Sequence, residues 1–112
     1  DGSVEVFPLT SNIVLGVCDG YEFTSHKVPF QKGDILVLYT DGVTEAFNGD
    51  QEEYGFDTLK TLLREQVLEK PEIMGAGDAA AQTCRIITRD VTRFAGDEEQ
   101  SDDITVLILK RN

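Results

Sequence analysis

The chain has 112 residues, 40% hydrophobic and 28% charged, which suits one domain or one piece of a domain. Its 21 acidic residues against 10 basic ones give a formal net charge of −11, which argues against nucleic acid and anionic membrane as partners, since either needs a basic surface. No apolar run reaches the length of a membrane span, the N-terminus has no signal-peptide pattern, and Cys18 and Cys84 lack metal-ligand spacing, so a reducing, cytoplasmic setting is expected.

Residues 4–8 and 13–17 read as two short strands joined by Thr10, Ser11 and Asn12. Asp19-Gly20 reads as a turn. The segment from Tyr21 alternates apolar with polar and continues to Phe30, with Pro29 requiring an end, a bulge or an edge because it cannot donate to a ladder. His26, the only histidine, has no Cys or His companion and reads as structural or solvent-facing. Lys32-Gly33-Asp34 is a turn, and Ile35 to Thr40 is then a buried central strand rich in large and β-branched apolar residues. Asp41 therefore stands at a strand's rim, and Gly42 removes a side chain beside it, leaving room for close approach.

Two readings of Asp41 compete. It could N-cap a helical turn beginning at Gly42, as Asp often does, or it could hold a metal. After the turn signal Asn48-Gly49-Asp50, the spacing of Phe56, Leu59, Leu63 and Val67 predicts an amphipathic helix that ends before Pro71. Asp78 is the expected N-cap of a second helix whose apolar face is Ala80, Cys84, Ile87, Val91 and Phe94, with Gly96 as its stop. Arg85, Arg89 and Arg93 lie on the opposite face. They read as a solvated stripe, with docking of a phosphorylated partner as the alternative.

The acidic stretch Gly96 to Asp103, with carboxylates at Asp97, Glu98, Glu99, Asp102 and Asp103, leads directly into a second central-strand pattern, Ile104 to Leu109. If the two strands are antiparallel neighbours, Asp41 and the pair Asp102-Asp103 share one end of one sheet, an arrangement of oxygen donors that suits a hard divalent cation. The element order implies an α+β fold in which an antiparallel sheet packs against two long helices.

The ordered pieces Leu15-Gly16-Val17, Lys32-Gly33-Asp34, Tyr39-Thr40-Asp41-Gly42-Val43-Thr44-Glu45-Ala46, Tyr54-Gly55-Phe56 and Ser101-Asp102-Asp103-Ile104-Thr105-Val106-Leu107 resemble the metal-dependent Ser/Thr protein phosphatases of the PPM type, in their bacterial SpoIIE-like subgroup. The resemblance covers essentially the whole chain. It implies that residues 1–112 are the C-terminal portion of a catalytic domain about twice as long, half of an α/β/β/α sandwich. It also implies two Mn2+ or Mg2+ ions in the complete domain, with a water they acidify attacking the phosphorus of phosphoserine or phosphothreonine directly.

Carried over by position, Asp41 and Asp102 match ligands of one metal, while Gly42, Asp103 and Thr105 support the site without ligating. The substrate class implied is a phosphorylated regulatory protein, as in sigma-factor partner switching. The carboxylate that bridges the two metals has no counterpart here, so the isolated chain is expected to be inactive and to dimerise through an exposed sheet face. The alternatives are a non-catalytic interaction or scaffold fragment and a pseudophosphatase. A haloacid-dehalogenase-type phosphatase is excluded because Tyr39 stands where its nucleophilic Asp belongs, and a calcium-binding hand lacks its Asp/Asn alternation after Asp41.

Overall fold

The computed structural model describes residues 4–5, 27, 29–98 and 103–112. The expected strands at 4–8, 13–17 and from Tyr21, together with Cys18, the Asp19-Gly20 turn, His26 and Asp102, lie wholly or largely outside the described residues. Pro29 and Phe30 belong to no strand. The first described element is β1, Ile35–Tyr39, followed by α1, Asp41–Thr44, and α2, Phe56–Leu63, which continues into a π-helical turn, Arg64–Leu68. Next come α3, Pro71–Met74, α4, Ala79–Ala95, and β2, Val106–Lys110.

β1 and β2 pair antiparallel, with Ile35 opposite Lys110, Val37 opposite Ile108 and Tyr39 opposite Val106. Directly opposed residues share a face, so this register sends Val37, Val106 and Ile108 inward, where they pack against the core. The other face carries Leu38, Leu107 and Leu109, which are 44%, 53% and 45% exposed. The expectation of a strand buried on both sides therefore holds for one face within the described structure. The turn before β1 is as expected: Gly33 takes a φ of 92° that a side chain would resist, and the Gly33 and Arg111 amides close the open end of the ladder onto Arg111 and Asp34 carbonyls.

α4 packs on β2 and on α2, and the core formed between them holds Val43, Ala46, Tyr54, Leu59, Ile87 and Val91. The buried stripe of α4 is Ala79, Thr83, Ile87 and Val91, so the face turns about one residue from the one expected. Ala80 and Cys84 are only half-buried. Thr83 is fully buried without penalty because its hydroxyl donates to the Ala79 carbonyl one turn back, at 2.8 Å. Asp78 is the N-cap residue of α4, yet its carboxylate does not cap an amide; it accepts from Gln82 Nε2 at 2.6 Å and meets Arg85 at 3.8 Å.

The helix predicted over Phe56 to Val67 is two kinds of helix in series. Beyond Leu63 the backbone widens, the Glu69 amide reaching back five residues to the Arg64 carbonyl, and Val67 stays buried. Pro71 then occupies the first turn of α3, where its missing N–H costs nothing. Gly96 ends α4 with a φ of 61°, as its position in the sequence requires. Arg85, Arg89 and Arg93 are exposed, as expected of a solvated stripe.

Leu59 and Ile87 are each 1% exposed and face each other's helices across this core. Leu59→Ala and Ile87→Ala are each expected to lower unfolding free energy by about 2–5 kcal/mol, read from denaturant melts, whereas Leu107→Ala on the open face is expected to cost far less.

Candidate functional site at the β1–β2 rim

The site is built from the strand ends. Because Tyr39 pairs with Val106, the next residue on one strand, Thr40, lies opposite the preceding residue on the other, Thr105, and the Thr40 amide donates to the Thr105 carbonyl at 3.0 Å. Thr40 has extended backbone angles and is the N-cap residue of α1. An N-cap threonine ordinarily turns its hydroxyl onto a helix amide. Here that hydroxyl crosses to the other strand instead: it donates to the Asp103 carbonyl at 2.9 Å and accepts from the Thr105 amide at 2.9 Å.

Asp41 is the first helical residue, so the cap reading of this carboxylate is corrected: Thr40 holds that position, and Asp41 makes no side-chain cap bond. The Asp41 side chain has no hydrogen-bond or ion-pair partner among the described residues, and the residue is exposed at the rim. Its nearness is felt by Tyr39, whose phenol is pushed above its ordinary range chiefly by burial and also by the Asp41 charge. Asp103 lies on the facing strand end, its main-chain carbonyl bound by Thr40. The expected antiparallel pairing thus does bring Asp41 and Asp103 to one end of the sheet. Gly42 is buried directly behind Asp41, and Thr105 takes part in the clasp through its backbone.

Two further features hold α1 in place. Val43 is fully buried, and the segment after the turn folds back on α1, the Gly55 amide donating to the Thr44 carbonyl at 2.8 Å and the Tyr54 amide to the Ala46 carbonyl at 2.6 Å. Asn48 makes that reversal possible, its side-chain oxygen accepting from the Asp50 and Glu52 amides. Tyr54 then reaches α4: its hydroxyl donates to Asp90 at 2.6 Å, and its ring meets Phe94 edge-on at a centroid distance of 5.4 Å. Asp90 also accepts from Arg93 at 2.8 Å. Sequence reasoning noticed neither the Thr40 hydroxyl nor the Tyr54–Asp90 pair. The signal available for both was a hydroxyl residue inside an otherwise apolar strand end or turn.

Among the described residues no three His, Cys, Asp or Glu side chains form a metal-sized cluster. Asp41 and Asp103, which the strand pairing brings to the same end of the sheet, carry oxygen donors alone, the donor chemistry that a hard divalent cation takes and a thiophilic metal does not.

The sequence model of the family described as Stage II sporulation protein E (SpoIIE) matches residues 1–112. The chain belongs to that family. Among curated proteins it is 29% identical over 98 residues to Protein IcfG of Synechocystis sp., covering 88% of this chain and 14% of that protein. It is 28% identical over 102 residues to phosphoserine phosphatase RsbU of Bacillus subtilis, covering 88% of this chain and 26% of that protein. The chain therefore spans about a quarter or less of the length of these relatives. In fold, this SpoIIE-family chain is similar to the SiaA-PP2C domain of Pseudomonas aeruginosa, with a TM-score of 0.62 at 21% identity over 83% of this chain and 35% of that one. That similarity accords with the α+β architecture expected of a PPM-type fragment.

The Tyr54 phenol is raised well above its ordinary pKa, first by burial and then by the Asp90 carboxylate that accepts its hydrogen bond. A raised folded-state pKa means that its stabilisation is complete below the unfolded value of about 10 and fades as pH climbs toward the folded value. Tyr54→Phe should cost about 1.5–3 kcal/mol near neutrality, and the gap between the two proteins' denaturation curves should narrow above about pH 10.

Proposed function

We propose that this chain is the C-terminal portion of a PPM-type phosphatase domain whose complete protein removes phosphate from phosphoserine or phosphothreonine on a regulatory protein. The observation that carries this reading is the Asp41 carboxylate, unpartnered among the described residues and facing the Asp103 strand end, in a chain matched by the SpoIIE family over its whole length. Asp41 and Asp102 bind one Mn2+ or Mg2+, Asp102 lying outside the described residues. Gly42, Asp103 and Thr105 shape the site around them. Metal ions held there would supply Lewis acidity to a water and to the phosphoryl oxygens in the complete domain. For this chain's own part, β1 and α1 carry Asp41 to the rim, and the facing strand end carries Asp103 to the same end of the sheet.

The name of RsbU, a phosphoserine phosphatase, supports phosphoserine as the substrate class. A place in sigma-factor partner switching follows from the subgroup resemblance, and a cytoplasmic setting from the cysteine usage of the sequence. Among the described residues no helix is long and apolar enough to cross a membrane. The exposed face of Leu38, Leu107 and Leu109 is where the second sheet of the sandwich packs in the complete domain, and without it the isolated chain self-associates through that face and is inactive.

Mn2+ titration by calorimetry is expected to show weak binding to the 112-residue chain that disappears in Asp41→Asn and Asp102→Asn. Binding unchanged in both variants would remove the metal assignment. In the complete protein, Asp41→Asn should abolish release of phosphate from a phosphoserine protein, and undiminished turnover would refute the catalytic reading. Light scattering on the isolated chain should show dimers or larger species that Leu38→Lys with Leu107→Lys shifts toward monomer.

A further inference from the structure

We infer that Thr40 is a positioning residue for the rim, its hydroxyl serving as the clasp that holds the strand end of residues 103–105 beside Asp41. The inference rests on the metal reading above, but its structural half stands without metal. Three bonds join Thr40 to residues 103–105: its amide to the Thr105 carbonyl at 3.0 Å, its hydroxyl to the Asp103 carbonyl at 2.9 Å, and the Thr105 amide to that same hydroxyl at 2.9 Å. The regular ladder ends at the Tyr39–Val106 pair, so the two hydroxyl bonds carry the connection past the end of the sheet.

Electrostatics explains why a neutral clasp is needed there. Asp41 at the rim and Asp103 at the facing strand end are both acidic. Like charges at one end of a sheet repel, so in the absence of a cation the Asp103 strand end is driven away from Asp41. A hydroxyl that donates to one backbone group and accepts from another opposes that drift without adding charge, and it does so by giving up the capping role its N-cap position would otherwise invite. Serine can make the same two bonds. Valine, equal in shape to threonine, can make neither.

The experiment compares the 112-residue chain with Thr40→Val, Thr40→Ser and Asp41→Asn by NMR. In chelator, exchange of the Thr105 amide should speed up in Thr40→Val and stay close to the unmodified rate in Thr40→Ser and Asp41→Asn. On adding Mn2+, the concentration needed to broaden resonances of residues 103–105 should rise about tenfold in Thr40→Val and little in Thr40→Ser, with broadening lost in Asp41→Asn. Unchanged Thr105 exchange in Thr40→Val would overturn the clasp itself. Faster exchange with an unaltered Mn2+ requirement would overturn the positioning role while leaving the metal site standing. No Mn2+ broadening in the unmodified chain would overturn the metal reading and with it the role assigned to Thr40, even where the exchange data show the tether.

Discussion

Everything at the rim depends on the register between β1 and β2. Pairing Tyr39 with Val106 puts Thr40 across from Thr105, so that a strand leaving the sheet and a strand entering it exchange main-chain and side-chain hydrogen bonds at the same level. Had the strands slipped by one residue, Val37 and Ile108 would exchange faces with the leucines, and the inward packing on α4 would be lost together with the rim. Packing of the sheet's inner face therefore fixes, at no separate cost, which residues meet at its end.

The four-residue helix carrying Asp41 is too short to be stable alone. It is held at both ends by tertiary contacts. At its start, Thr40 ties it to the loop before β2; after its end, the amides of Tyr54 and Gly55 bind the Ala46 and Thr44 carbonyls, and the Tyr54 hydroxyl anchors the returning segment to Asp90 on α4. Val43, fully buried, fills the space between. The exposed Asp41 is thereby mounted on a short helix whose flanking backbone is hydrogen-bonded on both sides.

Acidity is distributed unevenly in its consequences. The net charge of −11 argues against partners that require a basic surface, such as nucleic acid, but among the described acidic residues the strand pairing carries Asp41 and Asp103 to the rim. Asp90 is used quite differently, as the acceptor of a buried phenol and the partner of Arg93. Asp78, which looks like a helix cap in the sequence, spends its carboxylate on Gln82 and Arg85. The same side chain thus does three jobs, and neighbours distant in sequence decide which.

Much of this was legible beforehand. The amphipathic spacing of Phe56 to Val67 and of α4, the turns at Gly33 and Asn48, the stop at Gly96 and the existence of the two apolar strands follow from periodicity and local backbone preference, which adjacent residues express by themselves. The resemblance to SpoIIE-type sequences likewise lay in short ordered motifs, and the family match over residues 1–112 agrees with it. What the tertiary structure alone decided was the use of side chains whose partners lie far along the chain. Thr40 bonds 63 and 65 residues away and Tyr54 bonds 36 residues away, distances over which no local pattern carries information. The one-residue rotation of α4 onto Ala79 and Thr83 belongs to the same class, because a helix's own periodicity defines an apolar arc whose centre is set only by the sheet and helix packed against it.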